Sequence, residues 1–203
     1  MKKIILITGG QRSGKSTYAE KLALELSDNP VYIATAHIWD EEFRERVRRH
    51  QERRGPQWTN IEEERQLSRH DVSGRVALID CCTLWATNYF YDSACENDTF
   101  RDENDTFSNE NDTFSNENDT FSNGNDTFID VNATLSALKA EFDRFTSQDA
   151  TFIFVTNEIG LGGTSTNAVQ RRFTDLLGWL NQYIAARADE VVMMISGLNI
   201  KIK

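Results

Sequence analysis

The chain has 203 residues, 39% of them hydrophobic, a formal net charge of −10 and a mean hydropathy of −0.54. That length suits one α/β domain enlarged by an insertion. The apolar run near the start, Ile4 to Ile7, stops at Thr8-Gly9-Gly10 and is too short for a signal sequence or a membrane span.

The negative charge is local. Residues 96–128 carry ten acidic side chains against one basic, about −9, so the rest of the chain sits near −1. The acidic balance therefore says little about what the remainder binds. No basic patch is interleaved with aromatic residues, which argues against nucleic acid as a partner. Cys81, Cys82 and Cys95 show no metal-ligand spacing, and two are adjacent at what reads as a strand end. They read as reduced and mostly buried, in a cytoplasmic protein.

Taken in chain order, Ile4 to Ile7 reads as a strand buried on both faces of a parallel sheet. Gly9 to Gly14 is a turn, and Ser16 to Leu26 a helix with Ala19, Leu22, Ala23 and Leu26 on one stripe. Val31 to Thr35 is a second strand. Asp40 caps a charged helix that runs to Arg54 and ends at Gly55-Pro56. Val76 to Ile79 is a third strand and leads into Asp80. Leu135 to Phe145 is an amphipathic helix, and Thr151 to Val155 a fourth strand. Asn167 to Arg187 is helical, with Phe173, Leu176, Leu177, Leu180 and Ile184 on one face. Val191 to Ile195 is a fifth strand, and Ile200 to Ile202 a short last one. Alternating strands and helices predict an α/β fold, a mostly parallel sheet with helices on both faces.

The middle departs from that pattern. Glu96-Asn-Asp-Thr-Phe recurs from Glu103, Glu110 and Glu117, and once more as Gly124-Asn-Asp-Thr-Phe128. One Phe per seven residues cannot build a coiled-coil seam. A stacked solenoid is conceivable, but the Asn, Asp, Ser and Glu content favours a solvated, largely disordered loop without a catalytic role.

The chemistry begins at Gly9-Gly10-Gln11-Arg12-Ser13-Gly14-Lys15-Ser16, a full G-x-x-x-x-G-K-[ST] motif between a strand and a helix. Glycines let successive N–H groups turn inward on phosphate oxygens, and the following helix adds its positive end. Lys15 is placed to reach the β and γ phosphates, the Ser16 hydroxyl to bind Mg²⁺, and Asp80 to supply a second Mg²⁺ ligand. These features specify a P-loop enzyme acting on a nucleoside triphosphate, without choosing among kinase, GTPase and ATPase.

The charged helix narrows the choice. Phe43, Val47, His50 and Arg54 share a face, with Arg46, Arg49 and Arg53 alongside. One reading is a solvated basic face. The other is a triphosphate clamp around a single imidazole: nearby guanidiniums disfavour the protonated ring, leaving a neutral nucleophile for an α-phosphorus. A plain P-loop small-molecule kinase and a GTP-dependent switch that recruits partners through its acidic repeats remain alternatives. The switch lacks an Asn-Lys-x-Asp guanine-reading motif.

Thr8 to Ser16, Tyr32-Ile-Ala-Thr35, Arg46-Val-Arg-Arg-His50, Trp58 with Glu62, Leu78-Ile-Asp80, Leu84-Trp85 with Asn88, Val155-Thr-Asn-Glu-Ile-Gly160, Arg171-Arg-Phe173, Leu180-Asn181 and Ser196-Gly197 follow in an informative order. Together they resemble the bifunctional adenosylcobinamide kinase / adenosylcobinamide-phosphate guanylyltransferase family of cobalamin biosynthesis. The resemblance spans nearly all of the chain outside about residues 93–128. It implies a RecA-like P-loop fold, a trimer, and two reactions: phosphorylation of adenosylcobinamide by GTP or ATP, and transfer of GMP from GTP through a guanylylated histidine. That histidine maps to His50. The nucleotide site would comprise Gly9 to Ser16, Ala34, Thr35, Ala36, Gln51, Glu52, Arg53, Arg54, Glu62 and Asp80. Asn157 and Glu158 would lie by the cleft, with no role implied. Arg49-His50 stands where some relatives have two histidines, and His37 and His70 read as ordinary surface residues.

Overall fold

The computed structural model describes residues 2–37, 48, 54–95 and 130–203, with backbone alone for 92–95. The expected helix Asp40 to Arg54, His50 included, and the repeats of 96–128 lie outside the described residues, apart from Arg48 and Arg54.

The strands are β1 (Lys3–Gly9), β2 (Val31–Ala34), β3 (Thr59–Glu62), β4 (Val76–Asp80), β5 (Thr151–Val155), β6 (Glu190–Ile195) and β7 (Leu198–Lys201). The helices are α1 (Lys15–Leu26), α2 (Cys82–Cys95), α3 (Val131–Phe145) and α4 (Ala168–Arg187). The sheet order is β3-β2-β4-β5-β1-β6-β7. All neighbours pair in parallel except β6 with β7, where Met193 opposes Ile200 in an antiparallel hairpin.

Continuous apolar runs form the central strands because both sheet faces are covered. In β1, Ile4 and Leu6 join one buried cluster while Ile5 and Ile7 join the other. The same alternation divides Phe152 and Phe154 from Ile153 and Val155. The larger cluster takes Trp85 and Phe90 from α2, Leu138 and Phe142 from α3, and Leu177 and Leu180 from α4. The opposite cluster is closed by Ala19 and Ala23 of α1, with Tyr32 and Trp58. Small residues on α1 let that helix lie close to the sheet.

Helix termini follow their sequences. Asp130 accepts from the N–H groups of Asn132 and Ala133 at the start of α3, and Asn167 accepts from Gln170 at the start of α4. Three expectations need correction. Leu26, the last residue of α1, is 46% exposed and joins neither buried cluster. Cys82 opens a helix and does not end a strand, and both α2 and β3 add to the expected elements.

Candidate active site

β1 ends at Gly9 and α1 begins at Lys15, so the loop between them sits at the carboxyl edge of the sheet. Gly9 has φ 146°, and a Cβ there would run into the Met194 carbonyl oxygen. Gly14 has φ 94°, the left-handed region that lets the chain turn into α1. The turn Ser196-Gly197, with φ 51° and 83°, joins β6 to β7 in the positive-φ geometry favoured by tight hairpins. The Gly197 N–H donates to the Ser13 carbonyl at 3.0 Å, so this hairpin buttresses the loop from behind.

Gly10, Gln11 and Arg12 are exposed at the loop crest, Ser13 and Lys15 are buried, and Gly14 and Ser16 are half-buried. The Lys15 ammonium donates to the Gly10 carbonyl at 2.6 Å and lies 3.5 Å from Ser13 Oγ. Burial lowers the Lys15 pKa, opposed by Cys81 and by the charge of Asp80. The Asp80 carboxylate thus shares the neighbourhood of Lys15.

Asp80 is itself held. The Tyr32 hydroxyl donates to its Oδ2 at 3.0 Å. Burial, then the adjacent Asp80 charge, raises the Tyr32 pKa well above its ordinary value, so the phenol remains a donor. Trp58 meets the Tyr32 ring edge-on at 5.9 Å, and the Arg54 guanidinium lies 3.5 Å over its face. Arg54 also donates to Asn60 at 2.8 Å and stands 4.0 Å from Glu20 of α1, with 2% of its side chain exposed. Its guanidinium packs on Tyr32 beneath α1, a location its sequence position did not reveal.

Ala34, Thr35, Ala36 and Glu62 fall farther along the same edge. Thr35 is fully buried: its hydroxyl donates to the Cys81 carbonyl at 2.8 Å and accepts from the Cys81 N–H. Ala34 and Ala36 are half-buried and Glu62 is exposed. At about 4.8 Å per strand spacing, β2 lies roughly 14 Å from β1 and β3 roughly 19 Å. Ala34 pairs with Asp80 in the register of β2 and β4, so Asp80 links the group around Lys15 to a second group at the β2–β3 exits. The Asn88 side chain ties the second group together, donating to the carbonyls of Thr35 and Glu64. His37 Nδ1 lies 2.9 Å from Glu64 and His70 Nε2 lies 3.2 Å from Glu63, so each imidazole has a carboxylate hydrogen-bond partner.

A further buried set supports the end of β5. Thr156 Oγ1 donates to Asn181 Oδ1 at 2.8 Å, Asn181 Nδ2 donates to the Asn157 carbonyl at 3.1 Å, and the Asn157 N–H donates to Thr83 Oγ1 at 2.9 Å. Asn181 breaks an otherwise apolar helix face between Leu180 and Ile184, the one sequence sign of this role. Cys81 beside Asp80 has its thiol pushed up to about 11, by burial first and by Asp80 second, and is no nucleophile at neutral pH. A cleft of about 620 Å³ between Arg65, Tyr89, Glu141 and Arg144 contains none of the expected site residues.

Mg²⁺ takes oxygen ligands, keeps several waters and draws others from phosphate. Among the described residues no three His, Cys, Asp or Glu side chains form a metal cage. The Ser16 hydroxyl and the Asp80 carboxylate match the hard-oxygen donor set of a nucleotide-borne ion, and Tyr32 occupies only one Asp80 oxygen.

A parallel sheet in which β5 separates the P-loop strand β1 from the Asp80 strand β4 defines a RecA-like P-loop protein that handles nucleoside triphosphates. Comparison with known proteins narrows the class. Residues 5–202 match the cobinamide kinase / cobinamide phosphate guanyltransferase family, and the chain belongs to it. The bifunctional adenosylcobalamin biosynthesis protein CobU of Escherichia coli K12 is 33% identical, over 98% of this chain and 99% of that protein. CobU of Salmonella typhimurium is 34% identical over the same shares, and CobP of Pseudomonas aeruginosa is 34% identical over 98% and 96%. Among solved structures, a type III secretion system ATPase is 10% identical with a TM-score of 0.49, covering 98% of this chain and 56% of that one.

Proposed function

We propose that this chain phosphorylates the aminopropanol hydroxyl of adenosylcobinamide and then transfers GMP from GTP to the product, through a guanylyl adduct on His50. Family membership over residues 5–202 carries the reading. The P-loop with Lys15 inside it and Asp80 alongside supports the phosphoryl-transfer half.

Gly9 to Ser16 receive the triphosphate, with backbone N–H groups and Lys15 neutralising its charge. Ser16 and Asp80 would hold Mg²⁺, which when bound would offset charge on the phosphate oxygens. Tyr32 fixes the orientation of Asp80. His50 attacks the α-phosphorus with a ring nitrogen, expelling pyrophosphate, and the corrinoid phosphate then displaces the histidine. Arg46 and Arg49, close to His50 in the sequence, supply positive charge for the triphosphate, Gln51, Glu52 and Arg53 take part in nucleotide binding, and Ala34, Thr35, Ala36, Arg54 and Glu62 shape the β2–β3 side of the nucleotide site. The chain works as a cytoplasmic homotrimer, one domain interrupted by the acidic repeats of 96–128.

The test is GTP labelled at the α-phosphate. Wild type should retain an acid-labile, base-stable label, and His50→Ala should lose it while keeping kinase turnover. Equal labelling of both would remove His50 from the mechanism, and an active wild type without label would leave a plain kinase.

A further inference from the structure

The carboxylates along the carboxyl edge of the sheet are not equivalent. Glu62 ends β3, about 19 Å from β1, and the His37–Glu64 pair follows β2 and β3 on the same far side. Asp80 ends β4, about 10 Å from β1, and its Oδ2 is already engaged by Tyr32. Glu158 follows β5, the strand paired directly with β1. Its N–H donates to the Gly9 carbonyl at 3.1 Å, and its Oε2 lies 3.5 Å from Thr8 Oγ1. The carboxylate therefore stands at the first glycine of the phosphate loop, between that loop and Asp80.

Two more observations separate it from a structural acid. Among the described residues Glu158 makes no ion pair, and Thr8, at the outer limit of a hydrogen bond, is its side chain's one hydrogen-bond partner. The group is half-buried and chemically available. Its backbone, in contrast, is tightly placed, because Thr83, Asn181 and Gly9 all bond the segment Asn157–Glu158. A functional group with one weak partner among the described residues, on a fixed backbone, is the arrangement that a positioned proton acceptor requires.

We propose that Glu158 is the general base of the phosphoryl-transfer step. This deepens the kinase reading above and rests on it. As the acceptor alcohol attacks, its oxygen forms a bond to the γ-phosphorus, and the bond from that phosphorus to the β,γ-bridging oxygen breaks. The bridging oxygen leaves with the electron pair as nucleoside diphosphate. The hydroxyl proton passes to the Glu158 carboxylate, which later releases it to water. The two reactions then use different groups: Glu158 serves the alcohol in the first, and His50 carries the nucleotide in the second.

The experiment compares wild type with Glu158→Gln, after a thermal melt has shown both folded. Kinase kcat should fall about 10²- to 10⁴-fold. GTP affinity by calorimetry and the rate of guanylyl labelling should each stay within about threefold of wild type. As a second measurement, Glu158→Ala in formate should regain at least about tenfold of its lost kinase rate, because a small carboxylate occupies the vacated position. A Glu158→Gln variant with kcat within threefold of wild type would overturn the proposal. So would a parallel fall in kcat, GTP affinity and labelling, or the absence of any formate rescue. Wild type without kinase turnover would instead remove the underlying reading, a result visible before any variant is made.

Discussion

Tyr32 shows how a single phenol joins packing to chemistry. One face of its ring takes the Arg54 guanidinium, its edge meets Trp58, and its hydroxyl holds Asp80. Tyr32→Phe keeps the ring contacts and removes the hydrogen bond to a charged acceptor, a loss of about 1.5–3 kcal/mol. Chemical denaturation should register that loss, and a Mg²⁺ titration of GTP binding should show weaker metal dependence than wild type. Unchanged stability and Mg²⁺ affinity would detach Tyr32 from the site. Lys15 allows a simpler prediction. Lys15→Ala removes the ammonium from the phosphate cradle and should reduce both kinase turnover and guanylyl labelling at least a hundredfold, in a chain that melts near wild type. The residues of the P-loop were legible from spacing alone. Arg54 was legible as a member of a cluster, but its burial beneath α1 depends on Tyr32, Asn60 and Glu20, which only the fold brings near.

At the scale of elements, strands that lie between two helical layers announce themselves, since both faces must be apolar. β1 is legible on that ground. β3 is not, because Thr59-Asn-Ile-Glu62 lies at a sheet edge, mostly exposed, and carries no apolar run. α2 escaped for another reason: Thr83, Thr87, Tyr89, Phe90 and Tyr91 are residue types common in strands, although Cys82, Trp85, Ala86 and Phe90 recur at helical spacing. The turn after β3 carries a pH prediction. Partial burial raises the Glu63 pKa, but the N–H groups of Arg65 and Gln66 and the contact with His70 outweigh it and hold the carboxyl below its ordinary value of 4.5. A depressed folded-state pKa gives stability that is present above about pH 4.5 and lost as pH falls through the lower folded value. Glu63→Gln should be less stable at pH 7 and show a shallower acid limb in denaturation midpoints measured from pH 7 to 3. A limb as steep as wild type would assign the acid loss to other carboxyls.

For the whole molecule, the described residues by themselves already form a buried core on each face of the sheet and carry the P-loop side chains. Deleting residues 96–123 should therefore leave a folded enzyme with both activities measurable, checked by thermal melting and by turnover. Failure of that deletion to fold would give the repeats a structural role. Net charge offers a second check, because the deletion removes most of the chain's −10 and should shift its isoelectric point upward from about 4.8.

The central claim is that one chain performs two consecutive transfers on one corrinoid. Adenosylcobinamide incubated with the protein, GTP and Mg²⁺ and followed by mass spectrometry should first gain a single phosphate and then convert to the GDP-linked product. Accumulation of the phosphate alone with wild-type protein, or no change in the corrinoid at all, would contradict the account.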